Sequence, residues 1–268
     1  MSLELHDVSY RYAGAAEPSL RRVTLRLERG EVLGVVGPNG AGKSTLGLVA
    51  VGLAPATIGG RLGGRVSIDG MVTSGKHQHE LAVRAGILFQ QPEAQLSGSA
   101  PTVWEEVAFG PRNLGLPLDD VIARAWTAID DLAIGHLVER DPGRLSGGQA
   151  QLVALASVLA LRPAYLILDE PTSQLDPEGA TLVGAAIQRA AERTGAGVLL
   201  VEHRTDLIER LCHRAALLVE GALRIVGPAT EVLAESDLDE AGVGPPSAVR
   251  LRRAIEGAGI AWRAEWRA

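Results

Sequence analysis

The chain has 268 residues, 46% of them hydrophobic, and a formal net charge of −6. That length suits one large domain, or one domain with an appendage, and the mild acidity argues against a bulk nucleic-acid binder. Cys212 is the single cysteine, so an intrachain disulfide framework is excluded. No segment approaches the run of about 18 apolar residues that spans a bilayer, and "MSLELHDVSY" lacks the pattern of a secretory signal. Lysine occurs only at Lys43 and Lys76, against many arginines, which reads as a coding bias without functional meaning.

In chain order, "LELHDVSYRY" and "RRVTLRLERGEVLGVVG" read as strands, the first and "VTLRL" by alternation. "EVLGVVG" is a short apolar run, as expected of a strand buried on both faces. A helix follows from about Lys43 to Gly52, then the strands "GRVSIDG" and "AGILFQ". From "TVWEEVAFG" to "LVERD" the pattern turns helical, punctuated by Pro111 and Pro117. "LSGGQ" opens a helix to Leu161, and "AYLILDE" is the next strand.

Alternation then continues: a helix from Glu178 to Thr194, the strand "GVLLVEH", the helix "TDLIERLCH", the strand "AALLVEGALRIVG" and the helix "ATEVLAE". Strands alternating with helices predict a largely parallel sheet covered on both faces, here with a helical insertion at about residues 92–161. After Glu235 the composition turns acidic and Gly/Pro-rich, which places a boundary near Ser236 and a helix at Ser247 to Glu256. Trp262 and Trp266 are four apart and would share a helical face suited to burial or dimer contact.

The motif "GPNGAGKST" fits Gly-x-x-x-x-Gly-Lys-Ser between a strand and a helix. Its glycines let several backbone amides converge on a phosphate chain. Lys43 would reach the β- and γ-phosphates, Ser44 would offer its hydroxyl to Mg²⁺, and Thr45 would bond an α-phosphate oxygen. "AYLILDE" ends in two acids at the strand edge where an open parallel sheet binds ligands. Asp169 would hold Mg²⁺, and Glu170 would orient or polarise an attacking water. "LSGGQ" offers a capping Ser146 and free amides but no lysine, so it is no second complete nucleotide site. It could close a site made elsewhere, and an ordinary capped helix fits these residues equally well. Gln90 and His203 each end a buried strand and could reach metal, water or γ-phosphate. Taken alone, each reads as readily as a structural residue. Tyr12 could stack on an adenine or simply pack in its strand. "KHQHE", from Lys76 to Glu80, has no further metal ligand and reads as a solvated loop.

"GPNGAGKST", "FQQP", "LSGGQ", "AYLILDEPTSQLDP" and "VEH", in this order across about residues 3 to 230, resemble the nucleotide-binding subunit of ATP-binding-cassette (ABC) transporters. The resemblance implies an α/β P-loop NTPase fold: a mixed, largely parallel core sheet, antiparallel strands, an inserted helical subdomain and a short C-terminal helical extension. The cassette would occupy 1–235 and the extension 236–268. It implies two cassettes packed head to tail, each ATP lying on one subunit's phosphate loop and under the other's "LSGGQ". Gly37, Asn39, Gly40, Gly42, Lys43, Ser44 and Thr45 would then cradle the phosphates. Gln90, Ser44 and Asp169 would face Mg²⁺. Ser146, Gly147, Gly148 and Gln149 would face the partner's ATP, and Asp176 would lie in the loop crossing the dimer. Glu170, His203 and Gln90 would act in hydrolysis, and Tyr12 would stack on adenine.

"FQQPEAQLSG" followed by "TVWEEVAFGPRNLGLP" is similar, more narrowly, to the ATPases of energy-coupling factor (ECF) importers of vitamins and transition metals. The tail "GVGPPSAVRLRRAIEGAGI" resembles their C-terminal extension. This implies ATP and Mg²⁺ as cofactors and a peripheral place on the cytoplasmic face of a bacterial cell membrane. It also implies a transmembrane subunit, a second identical or sister ATPase and a separate substrate-binding membrane subunit as partners, with no nucleic acid. An exporter ATPase, or a soluble non-transport ABC ATPase, is the alternative. Ala150 and Leu152 stand where basic residues usually follow "LSGGQ", and "EHR" stands where Thr-His-Asp is usual. No catalytic group is lost by these departures.

Overall fold

The computed structural model of the chain describes residues 1–258. The expected Trp262–Trp266 face lies outside the described residues. The antiparallel strands come first: β1 (Ser2–Arg11) and β2 (Leu20–Glu28). β3 (Val32–Val36) leads through a glycine-rich loop into α1 (Lys43–Ala50), followed by the short α2 (Leu53–Ala56). Next come β4 (Arg61–Ile68), β5 (Met71–Val72), α3 (Gln78–Ala82) and β6 (Ala85–Leu88). The helical insertion contains α4 (Val103–Asn113), α5 (Leu118–Asp131) and α6 (Gly147–Leu161). The core resumes with β7 (Tyr165–Asp169), α7 (Pro177–Thr194), β8 (Gly197–Val201) and α8 (Thr205–Leu211). β9 (Arg214–Val219), β10 (Ala222–Pro228), α9 (Ala229–Val232), α10 (Asp237–Glu240) and α11 (Ser247–Gly257) complete it.

Two sheets result. One is antiparallel, in the order β2-β1-β4-β5; the other runs β10-β9-β3-β8-β7-β6. In the second, β9, β3, β8, β7 and β6 are parallel neighbours and only β10 is antiparallel. Successive residues of β3 enter different cores: Leu33 and Val35 face α1 and the antiparallel sheet, whereas Val32 and Val36 face the helices. A strand buried on both faces has no polar side to show, which is why β3, β7 and β8 read as unbroken apolar runs. The register decides where the site lies. Val35 is level with Val201, and Val201 with Asp169, so β3, β8 and β7 end together at one sheet edge.

Some expectations need correction. "AALLVEGALRIVG" is a hairpin of β9 and β10, not one strand. Glu220 (φ 49°) and Gly221 (φ 79°) adopt the left-handed conformations that a tight two-residue turn requires. Pro111 does not end its helix; α4 runs on to Asn113. So close to the helix end, proline forfeits little more than one backbone hydrogen bond. "KHQHE" is not a loop: His77 and Glu80 form a capping box that starts α3.

The helical insertion is fastened to the core by Asp131 of α5. Arg193 Nη1 reaches Asp131 Oδ2 at 2.9 Å and Arg189 Nε reaches Oδ1 at 3.2 Å, both arginines belonging to α7. Burial pushes the Asp131 pKa upward, but the two guanidinium groups outweigh it and hold it below its ordinary value. Beyond Glu235 the tail stays joined to the cassette. Leu238 and Val243 are buried in the helix-side core, and α11 buries no residue of its own. Among the described residues no helix is long and apolar enough to cross a membrane.

Candidate functional site

The loop between β3 and α1 is shaped by its glycines. A Cβ on Gly37 would collide with the Leu218 carbonyl oxygen of β9. Gly42 has φ 100° and rests on the Ser19 carbonyl, so neither its conformation nor its space admits a side chain. α1 then begins without a side-chain cap and without an acid in its first turn. Its free amides and positive dipole end are left for an anion from outside the chain. Lys43 curls back over the loop and donates to the Gly37 and Pro38 carbonyls at 2.8 and 3.0 Å. Burial lowers its pKa, while nearby Glu170 and Asp169 oppose that shift.

Asp169 closes β7 with its side chain buried and its Oδ1 without a hydrogen-bond partner. Burial raises its pKa, and the neighbouring Ser44 hydroxyl opposes that shift. Glu170 follows in a left-handed conformation, φ 51°, which costs a non-glycine residue about 1–3 kcal/mol. Its amide is held by the Val201 carbonyl at 2.9 Å. That turn lifts the carboxylate out of the sheet between two other strand ends. Gln90 Nε2 donates to Glu170 Oε2 at 2.8 Å, and His203 Nε2 lies 2.8 Å from Glu170 Oε1. A carboxylate oxygen can only accept, so this contact places a hydrogen on Nε2.

An open cleft of about 400 Å³ is lined by Asn39, Gly40, Gly42, Lys43, Ser44, Thr45, Gln90 and Glu170, together with Ser19 and Ala41. Ser19 escaped the sequence reading because it precedes an ordinary strand and carries no motif. Tyr12 is also near, its hydroxyl 3.0 Å from Thr45 Oγ1 and its ring edge-on to Tyr10.

Ser146, Gly147, Gly148, Gln149 and Asp176 do not line this cleft. Ser146 caps α6, accepting from the Gln149 amide at 3.4 Å while Gln149 Oε1 accepts from the Ser146 amide at 3.1 Å. Gly147 and Gly148 pack against Gln174 in the segment that leads to Asp176. Asp176 in turn caps α7, accepting from the Gly179 amide at 2.7 Å. The N-terminal end of α6 thus lies outside the cleft formed by the glycine loop of its own chain.

Two further supports were missed in the sequence. Glu202, 3% exposed at the end of β8, accepts from the His203 amide at 2.8 Å and from Thr172 Oγ1 at 2.5 Å. Its signal was an acid inside an otherwise apolar strand end, overlooked beside the histidine. Glu106 of α4, also 3% exposed, accepts from the Ser97 amide at 2.7 Å and hydroxyl at 2.6 Å, fixing the segment beyond Gln90.

The oxygen donors present suit a hard divalent cation. The orphaned Asp169 Oδ1, the Ser44 hydroxyl and the amide oxygen of Gln90 are available. No group of three or more His, Cys, Asp and Glu residues forms a cage among the described residues. Magnesium typically takes few protein ligands and completes its shell with water and substrate phosphates.

A family model described as ABC transporter matches residues 20–173. A putative ABC transporter ATP-binding protein of Pyrococcus horikoshii is 38% identical over 98% of this chain and 92% of its own length. The energy-coupling factor transporter ATP-binding protein EcfA of Methanothermobacter thermautotrophicus is 39% identical over 88% of this chain and 74% of its own. Among solved structures, cbiO1 of Clostridium perfringens, described as part of the ABC transporter complex cbiONQ, superposes with TM-score 0.76 at 30% identity, covering 94% of this chain and 98% of that one. A dimeric ATP-binding cassette in a post-hydrolysis state with ADP and Pi superposes with TM-score 0.74 at 26% identity, covering 85% and 98%.

Proposed function

The chain belongs to the ABC transporter family as an ATP-hydrolysing, ATP-binding subunit, and from that premise we propose that it energises an ECF-type importer of a vitamin or transition-metal ion. The observation that carries the hydrolytic reading is the Glu170 carboxylate, bracketed by Gln90 and His203 at 2.8 Å each on the rim of the cleft that holds Lys43. The import reading is supported by the EcfA and cbiO1 likenesses and by the anchored segment from Gln90 to Ser97.

ATP lies with its triphosphate on the amides of Gly37 to Thr45 and with adenine against Tyr12. Lys43 releases the Gly37 and Pro38 carbonyls and turns to the β- and γ-phosphates. Ser44, Gln90 and Asp169 would hold Mg²⁺, which when bound would neutralise charge on the phosphate oxygens. Glu170 accepts the proton of the attacking water as its oxygen bonds the γ-phosphorus and the bond to the bridging oxygen of ADP breaks. His203 Nε2–H steadies the Glu170 carboxylate and faces the γ-phosphate. Gln90 ties the same carboxylate to the segment fixed by Glu106.

The α6 end, which does not line its own cleft, serves a second ATPase, identical or sister, through Ser146, Gly147, Gly148 and Gln149. Asp176 crosses beside it. A transmembrane subunit and a separate solute-binding membrane subunit complete the importer, which puts the chain on the cytoplasmic face of the cell membrane. Residues 1–235 form the cassette, and the extension that begins at residue 236 contributes to dimer contact.

Replacing Ser146 with Arg tests the two-chain site. ATP binding to the isolated chain stays within about threefold, whereas turnover falls about 10²–10³-fold, because donors to the γ-phosphate are lost only in the assembled site. Equilibrium ATP binding and phosphate release are measured side by side. Turnover near that of the parent chain would contradict the assignment.

A further inference from the structure

We propose that Glu202 is a positioning residue for hydrolysis: one buried carboxylate clamps both ends of the Glu170–His203 contact. The inference rests on the reading of Glu170 and His203 given above. Glu202 Oε1 accepts from the His203 amide at 2.8 Å and the Arg204 amide at 3.3 Å. Its other oxygen, Oε2, accepts from Thr172 Oγ1 at 2.5 Å. Thr172 is fully buried and stands two residues after Glu170. The backbone that carries the base and the backbone that carries the histidine therefore meet on one side chain. The Glu202 amide in turn reaches the Val35 carbonyl at 3.4 Å, on the strand that leads into the phosphate loop. Arg204 extends the link by donating from Nη2 to the Leu175 carbonyl at 2.8 Å, next to Asp176.

Burying a carboxylate on neutral donors is costly unless its hydrogen bonds are well made, so such a group admits few geometries. Removing it would leave the Thr172 hydroxyl and two amides without partners, and the turn bearing His203 would relax. Glutamine at the same place keeps an oxygen for the amides and turns an NH₂ toward Thr172 Oγ1. Size and most of the clamp would survive.

The test compares phosphate release against ATP concentration for the purified full chain and for Glu202→Ala, Glu202→Gln, Thr172→Val, the Glu202→Ala/Thr172→Val double variant and Glu170→Gln. Glu202→Ala is expected to lower kcat about 10–100-fold with KM for ATP within about threefold, because misplacement affects the reacting geometry and leaves phosphate binding intact. Glu202→Gln recovers most of kcat. Thr172→Val lowers kcat several-fold, and the double variant is no worse than Glu202→Ala, since Thr172 acts through its bond to Glu202, which is already lost there. A Glu202→Ala kcat within about twofold of the parent chain, a KM rising in step with the loss, or multiplying effects in the double variant would overturn the proposal. If Glu202→Ala does not fold, Thr172→Val decides, and an unchanged kcat at unchanged KM overturns it. Glu170→Gln separates the two layers. If it turns over normally, the base assignment itself fails; if it is silent while Glu202→Ala is normal, only the clamp fails.

Discussion

Glu170→Gln is expected to keep ATP bound and to lower turnover about 10²–10⁴-fold, the range that a positioned general base contributes. Glutamine matches glutamate in size, and no group that contacts the phosphates changes. It cannot take a proton from water. Its amide also meets donors on both sides, from Gln90 Nε2 and His203 Nε2, so one contact must break or reverse. Equilibrium ATP binding and single-turnover phosphate release check the two halves of the statement. Phosphate release within about tenfold of the parent chain would remove Glu170 from the base role, since that falls short of a base's contribution.

Lys43→Ala acts one step earlier, on binding. Charge-assisted hydrogen bonds are worth about 1.5–3 kcal/mol net, so ATP affinity should fall about 10- to 150-fold. Without nucleotide, the variant loses the bonds from Nζ to the Gly37 and Pro38 carbonyls and the attraction to Glu170 and Asp169, a loss offset because a buried charge is also removed. Its melting temperature in the absence of ATP should therefore drop little, while the rise that ATP induces should shrink or vanish. Titration calorimetry gives the affinity and thermal denaturation gives the second readout. Unchanged affinity would mean that the Gly37–Thr45 loop is not where the triphosphate lies.

The strands that carry the site were legible because they are buried on both faces. "EVLGVVG", "AYLILDE" and "GVLLVEH" leave the sheet where the apolar run stops, and the chemistry-bearing residue stands at that stop. Strand-end position marked Lys43, Asp169 and Glu170, the family resemblance added Gln90 and His203, and only the register of β3, β7 and β8 makes the ends of those strands level. The "AALLVEGALRIVG" hairpin was hidden because a Glu-Gly turn interrupts hydrophobicity no more than a solvent-facing strand residue does. Asp131 with Arg189 and Arg193 lies about 60 residues apart along the chain, and no local pattern marks such a clamp. Glu202 was obscured by its neighbour: a histidine at a strand end invites attention, and the acid beside it looks solvated until its burial is seen. Ser146 read equally as a helix cap and as a phosphate ligand. Within one chain it is a cap, and the proposed phosphate contact would need another chain.

Coupling of this ATPase to a membrane partner is tested most directly by purifying the tagged chain from detergent-solubilised native membranes and identifying what elutes with it. The expected eluate holds a polytopic transmembrane subunit in stoichiometric amount, together with a second ABC ATPase or a second copy of this chain. Elution with soluble proteins alone would contradict it, leaving the ATP chemistry without the transport role.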